Sequence, residues 1–245
     1  MTISNQQVKT FYDEFTISQE AMGINHRHLS IQRHLEEFGL QKDNNILEIG
    51  CGIGTLTELM LSYVGKNGKI TAVDVSEKSI SIAKKRLEVY DNVNLEVFDF
   101  TKDIKDALFD VIVLPDVIEH IPLKLHESLF LNLSKMLKKE GFVLIHIPDP
   151  NYLQWNIDHK KEGLQIIDQP IYTHLLATNI VKSQLYIAYL KSYSLYVNNP
   201  DYQVVVLKKK EGLEMYNSIM PTNDSLLRRI KRKFRYLRRK LICLF

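Results

Sequence analysis

The sequence predicts a doubly wound α/β fold, a mostly parallel sheet with helices on both faces. Three observations carry this expectation. Strand-like apolar runs alternate with helix-like stretches from Asn45 to Ile147. The run Ile46-Leu-Glu-Ile feeds a glycine cluster, Gly50-Cys-Gly-Ile-Gly54. About twenty residues later, Ile70-Thr-Ala-Val-Asp74 is a second run ending in one acid, as in nucleotide-binding βαβ units. A loop that lets a ligand approach the backbone would then lie beside a carboxylate able to accept both hydroxyls of a ribose. That pairing points to a nucleoside cofactor.

Ahead of the sheet, residues 1–40 read as a helical cap. Leu29, Ile31, Leu35, Phe38 and Leu40 suggest a helix laid on the core. His26, His28 and His34 have no metal-like company and read as surface residues. The first strand, from Ile46, ends at the glycine cluster. Thr55-Leu-Thr-Glu58 has the pattern of a capping box, so a helix is expected over Leu56–Val64, stopping at Gly65. A helix is expected over Glu77–Val89, then a third strand, Val93-Asn-Leu-Glu-Val-Phe-Asp99, ending in an acid followed by the aromatic Phe100. Phe109 to Asp116 is nearly all apolar, as a parallel strand covered on both faces should be. A helix over Leu123–Lys138 follows, and a fifth strand over Phe142–Ile147. The alternation then lapses for about forty residues. Ser194-Leu-Tyr-Val197, a turn at Asn198–Asp201, and Tyr202–Leu207 read as an antiparallel hairpin.

The glycine spacing narrows the cofactor. A dinucleotide fingerprint needs a third glycine where Thr55 stands, and no Gly-Lys-Ser/Thr follows for a phosphate loop. What stands here is Glu48-x-Gly50-x-Gly52-x-Gly54. This motif, with Asp74 downstream, resembles the first motif of class I S-adenosylmethionine-dependent methyltransferases. The likeness runs over residues 40 to 210. It implies a Rossmann-like seven-stranded sheet closed by the C-terminal hairpin, and S-adenosyl-L-methionine as cosubstrate. It also implies cofactor contacts from Glu48, Gly50, Cys51, Gly52, Gly54, Asp74, Val75 and Leu114. Glu48 would order the loop and the ligand's amino-acid end, Asp99 would accept from the adenine amino group, and Phe100 would cover the ring. Helices ahead of the sheet close over the cofactor in many such enzymes, so Tyr12 and Arg27 are candidates for shielding the sulfonium and pairing with the carboxylate. An exposed Arg27 in an i,i+4 pair is the alternative.

Asp116-Val-Ile-Glu119-His120 follows the fourth strand, where ligands of open sheets bind. If helical, Asp116, Glu119 and His120 share one face. Three readings stay open. His120 is a general base for an acceptor hydroxyl, or the trio holds a divalent cation, or Glu119-His120 is only a common helix start, with His120 capping or bonding backbone. The ubiquinone-pathway O-methyltransferases carry a similar Glu-x-x-Glu-His. Asp149-Pro-Asn-Tyr152 looks like a base-methylation motif but follows the wrong strand, so nucleic acid is not the expected acceptor. An acceptor-side insertion at 148–193 offers Tyr152, Trp155, His159, Gln165, Asp168, Gln169, Tyr172 and His174, a mixture suited to a sugar. Leu164–Tyr172, with Leu114–Pro122, is similar to methyltransferases of bacterial glycan and capsule gene clusters.

Composition sets the remaining limits. With 45% hydrophobic and 25% charged residues, the 245-residue chain is that of a globular protein. No signal peptide, membrane span or disulfide framework is expected, which points to the cytoplasm. The net charge is +3, yet Leu226–Phe245 holds nine Lys/Arg and no acid, so the remainder carries −6. Leu227, Ile230, Phe234, Leu237 and Leu241 form one stripe, so residues 211–245 read as a basic amphipathic tail. It would suit an anionic membrane surface, a partner protein, RNA or the chain's own domain. The expected function is methyl transfer to a hydroxyl of a small-molecule, sugar or lipid-linked glycan acceptor. An N-methyltransferase, a noncatalytic cofactor-binding partner subunit and a nicotinamide oxidoreductase are the alternatives.

Overall fold

The computed structural model describes residues 23–165 and 167–210. Helix α1 (His26–Glu37) leads into β1 (Asn45–Ile49), α2 (Thr55–Tyr63), β2 (Lys69–Asp74), α3 (Glu77–Arg86) and β3 (Val93–Val97). Then come β4 (Phe109–Pro115), two single-turn 3₁₀ helices (Ile118–His120 and Leu123–Leu125), α4 (His126–Met136) and β5 (Leu137–Pro148). After α5 (Pro150–Asp158) and α6 (Thr173–Ile180), strands β6 (Leu185–Tyr193) and β7 (Tyr202–Lys209) complete the series.

The strands form one seven-stranded sheet in the order β3-β2-β1-β4-β5-β7-β6. The first five run parallel, and β7 inserts antiparallel between β5 and β6. The α/β class, the parallel core and the antiparallel close therefore stand as expected. Alternate residues of β4 point to opposite faces and divide the core in two. Val111 and Val113 pack with Ile31 and Leu35 of α1, Met60 of α2 and Ile80 of α3. Ile112 and Leu114 pack with Leu129, Phe130 and Leu133 of α4 and Leu176 of α6. The order reverses between β1 and β4, so the carboxyl ends of these two strands open the crevice where ligands of such sheets sit.

Several boundaries differ from the sequence reading. Strand β5 begins at Leu137, not Phe142, because Leu137 pairs with Phe109 before the register jumps to Val111 and Phe142. Asp110, in the skipped position, accepts from Lys138 Nζ and from Asn45 N. Ser194–Val197 is not a strand, since β6 ends at Tyr193. Buried Asp201 accepts from the Leu195 and Tyr196 N–H groups at 2.6 and 2.9 Å, taking the donors a strand would have paired. Leu123–Leu125 is 3₁₀ rather than α, and α3 stops at Arg86. The lapse after Ile147 hides α5 and α6. Asp149 caps α5 by accepting from Asn151 N and Tyr152 N, with Pro150 in the first turn. The Asp-Pro-Asn-Tyr string is thus a helix start. His28 is buried (8% exposed), not a surface residue. Among the described residues no helix is long and apolar enough to cross a membrane. The basic tail, and Tyr12 with it, lies outside the described residues.

Candidate active site

The first half of the site is made mostly of backbone. At the end of β1, Gly50 N and Cys51 N both donate to Val73 O of β2, at 2.8 and 3.0 Å, which folds the turn back over the neighbouring strand. Gly50, Gly52 and Gly54 have φ of +80°, +53° and +80°, a region that side chains disfavour. A Cβ on Gly50 would also stand 2.4 Å from Val117 Cγ2. The expected capping box does not form. Gly54 is the N-cap of α2, which puts Thr55 inside the helix. Thr57 instead donates its hydroxyl to Glu48 Oε2 at 2.6 Å. Asp74 accepts from Gly52 N (2.8 Å) and Ser76 N (2.9 Å), so one carboxylate ties the glycine turn to the start of α3. A carboxylate oxygen can accept a second bond, so the ribose role remains open to it.

Glu48, Gly50, Cys51, Gly52 and Asp74 line a cleft of about 340 Å³ together with Arg27, whereas Gly54 stands outside it, against Leu87 and Ala83. Glu48 is fully buried, and its Oε1 has no hydrogen-bond partner among the described residues. Burial pushes its pKa up to about 7 against the Thr57 bond. An orphaned buried acceptor at the wall, and a turn with no room for Cβ at Gly50, both fit a bound nucleoside with an amino-acid end. Other expected contacts stand outside the lining. Leu114 is fully buried in the core, and Phe100, 3% exposed, packs on Phe98. Asp99 accepts from the Thr101 N–H and hydroxyl and pairs with Lys102. Val75 is exposed and lines neither cavity.

The second half is made of side chains. Asp116 does not share a helix face with Glu119 and His120, because it has φ +53° and precedes the 3₁₀ turn. Its N–H donates to His146 O at 2.7 Å, and this sharp turn aims its carboxylate at Arg27 and at His146 Nδ1 (3.3 Å). Burial opposes ionisation of Asp116, but Arg27 and His146 outweigh it and hold the pKa down at about 2. Arg27 is therefore half-buried and not in an i,i+4 pair. Its partner is the residue just past β4, 89 positions along the chain. The chain of contacts continues from His146 Nε2 to Tyr193 Oη (2.7 Å) and on to Ser30 Oγ (2.8 Å), fastening α1 to β5 and β6. Burial, and then Arg27, lower the pKa of His28 to about 4.

His120 is fixed from its far side. Its Nδ1 lies 2.7 Å from Ile167 O and 3.2 Å from Asp168 Oδ1. A carbonyl only accepts, so Nδ1 carries hydrogen and, in the neutral ring, Nε2 is the basic atom. Nε2 stands 3.7 Å from Glu119 Oε1. Burial opposes charge on the ring, but Glu119 and Asp168 keep its pKa up at about 9. Burial drives Glu119 the same way, to about 8, against the pull of His120. Both line a larger cavity of about 910 Å³ with Tyr152, Trp155, Gln165 and Asp168. Arg27, Asp116, Gln165 and Tyr202 border this cavity and the glycine cleft alike. His159 lines it too, but stacks on Trp155 at 4.4 Å. Gln169 serves the backbone instead, bonding Glu119 O and Ile121 O. Tyr172 and His174 stack on each other outside it.

Among the described residues no group of three or more His, Cys, Asp or Glu is placed to hold a metal ion. With Asp116 turned to Arg27, the trio envisaged for a cation is not assembled. Sequence reasoning missed His146, Tyr193 and Tyr202. Only His146 left a signal, a lone imidazole inside the apolar run Phe142–Ile147.

The methyltransferase domain family matches residues 40–216. Malonyl-[acyl-carrier protein] O-methyltransferase of Bacillus cytotoxicus is 36% identical over 102 residues, 42% of this chain and 34% of that protein. Ubiquinone biosynthesis O-methyltransferase of Coxiella burnetii is 36% identical over 93 residues, 37% of this chain and 38% of that protein. Protein-L-isoaspartate O-methyltransferase of Methanococcus vannielii is 32% identical over 137 residues, covering 55% and 61%. The matched stretches thus span from about a third to three fifths of these relatives. Among solved structures, an S-adenosylmethionine-dependent methyltransferase from Clostridium acetobutylicum shares the fold with a TM-score of 0.62 at 15% identity, covering 84% of this chain and 99% of that one. The N-methyltransferase NodS from Bradyrhizobium japonicum, in complex with S-adenosyl-L-homocysteine, reaches 0.58 at 19% identity, covering 76% and 86%. The chain belongs to the class I S-adenosylmethionine-dependent methyltransferases.

Proposed function

We propose that the protein transfers a methyl group to a hydroxyl of an acceptor held in the larger cavity, with His120 as the general base. The observation that carries this reading is the fixed His120 ring, anchored through Nδ1 by Ile167 O and Asp168, with no hydrogen bond at Nε2 among the described residues. Bound S-adenosylmethionine supplies an activated methyl on a sulfonium, which needs little more than a positioned nucleophile. Glu48, Asp74 and the Gly50–Gly54 turn hold that cosubstrate, and Arg27 with Asp116 stands between it and the acceptor. As the oxygen–carbon bond forms and the methyl carbon parts from sulfur, leaving S-adenosylhomocysteine, His120 Nε2 takes the hydroxyl proton. Asp168 positions the ring and offsets the charge it gains.

The acceptor class is a small molecule, a sugar or a lipid-linked glycan. Tyr152 and the amide of Gln165 at the cavity support a hydroxylated ring. The O-methyltransferase names of three relatives support the oxygen as target. The basic stripe of Leu226–Phe245 supports a cytoplasmic protein peripheral to an anionic membrane. Removing residues 226–245 should release it from anionic vesicles, and unchanged cosedimentation would retire that part.

His120→Ala tests the base. At saturating acceptor, turnover should fall by about 10²- to 10⁴-fold, with affinity for S-adenosylhomocysteine intact. In the wild type, turnover should rise with pH toward about 9, where the imidazole loses its proton. Turnover of the variant within a few-fold of wild type would eliminate the assignment.

A further inference from the structure

The turn that carries His120 is too short to fix its own position. Ile118–His120 is a single 3₁₀ turn, whose hydrogen bonds have poorer geometry than those of an α-helix. A reacting group must nevertheless be held to within about half an ångström of its productive place. The hold comes from Ile167, Asp168 and Gln169, consecutive residues of the acceptor-side insertion. The first two meet the ring at Nδ1. Gln169 meets the backbone on either side of it. Its N–H donates to Glu119 O at 3.1 Å, and its side-chain Nε2 donates to Glu119 O and Ile121 O at 3.3 and 2.9 Å. Its Oε1 accepts from Leu123 N at 3.4 Å. Chemistry fixes the orientation of this amide, since carbonyl oxygens only accept and a backbone N–H only donates. His126 Nε2 also donates to Ile121 O, at 2.8 Å, but it reaches the turn from α4 and not from the segment that holds the ring.

We infer that Gln169 is a positioning residue for the methyl transfer, its amide clamping the backbone that flanks His120 and so keeping the ring on Ile167 O and Asp168. This rests on the reading of His120 as the base. The clamp needs a carboxamide, which donates twice from one atom and accepts at the other. A carboxylate of the same size would set an oxygen against two carbonyl oxygens. With the clamp removed, the turn is free to drift from Ile167 and Asp168, and Nδ1–H loses its fixed acceptor. The hydrogen of the neutral ring can then sit on either nitrogen, and Nε2 is no longer the standing basic atom. Proton affinity changes too, in a definite direction. Glu119 and Asp168 raise it against burial, so a ring that leaves Asp168 while staying buried binds its proton less tightly.

NMR of the isotope-labelled histidine rings, on the full chain with S-adenosylhomocysteine bound, tests this without any acceptor. His120→Ala assigns the resonances by their disappearance. In the wild type the neutral His120 ring should be a single tautomer with hydrogen on Nδ1. In Gln169→Met, similar in length and without the amide, both tautomers should appear. The titration midpoint of the ring should also fall, by about one pH unit, a tenfold loss of proton affinity. Affinity for S-adenosylhomocysteine should stay unchanged, which separates loss of the clamp from loss of the fold. Gln169→Glu should move the ring in the same way and serves if the first variant misfolds. A folded variant whose His120 keeps the single tautomer would overturn the proposal. Loss of S-adenosylhomocysteine binding in both variants would overturn it as well, because Gln169 would then hold the fold and not the base. A wild-type ring with hydrogen on Nε2, or divided between tautomers, would instead remove the reading of His120 beneath it.

Discussion

The glycine cleft and the acceptor cavity adjoin, yet they are built by different means. The cleft is held by bonds between nearby strand ends. Gly50 and Cys51 donate to Val73, and Gly52 and Ser76 donate to Asp74. The cavity is held by side chains drawn from distant segments. Asp116 meets Arg27 and His146, while His120 meets Asp168. A backbone-built site accepts many side chains around it and suits a ligand common to a whole family. A side-chain-built site changes with each substitution and suits a ligand particular to one protein. The difference also appears in acidity. In the cavity, Asp116 is held near 2 while Glu119 and His120 are pushed to about 8 and 9. Below about 9 the imidazole keeps its proton, so base action by His120 belongs to the alkaline side.

Asp116→Asn should break the contrast most severely. It leaves Arg27 without its carboxylate at the border of the two spaces, and removing one partner of a buried pair costs about 3–5 kcal/mol. Arg27 is 27% exposed, so the lower end of that range is expected. Thermal melting reads it directly, and a melting temperature unchanged within a degree would show that the pair does not fasten α1. A smaller effect comes from acid alone. The Asp116 pKa is depressed, so its contribution is present above about 4 and disappears as pH falls through about 2. The loss is on the order of 2 kcal/mol. In Asp116→Asn the acid limb of the stability curve should be flatter by that amount.

The same contrast explains what the sequence made legible. The Glu48-to-Gly54 turn and Asp74 are close in sequence, and the chemistry of each position is carried by its residue type. A glycine is required where φ is positive, and an acid where two backbone donors converge. The sheet was legible for a similar reason, since β1, β2 and β4 are apolar runs of strand length. Phe100 is expected over the ligand if the strand runs to Asp99; β3 stops at Val97, and the aromatic beyond it packs into the core. Asp116 was misplaced because a left-handed residue breaks the helical spacing that grouped it with Glu119. The pairing of His120 with Asp168, and of Arg27 with Asp116, depends on how distant segments meet, and no local pattern encodes that. Residues 194–197 show the limit most plainly. Their β-forming composition is overridden by one buried acid, Asp201, that takes their donors.

Calorimetric titration of the wild type and of Asp74→Ala with S-adenosylhomocysteine tests the glycine cleft most directly. The account predicts micromolar binding to the wild type and a loss on the order of 100-fold or more in the variant, because one carboxylate ties the turn to α3 and is the proposed acceptor for the ribose hydroxyls. Equal affinity in the two proteins, or no binding to the wild type, would contradict it.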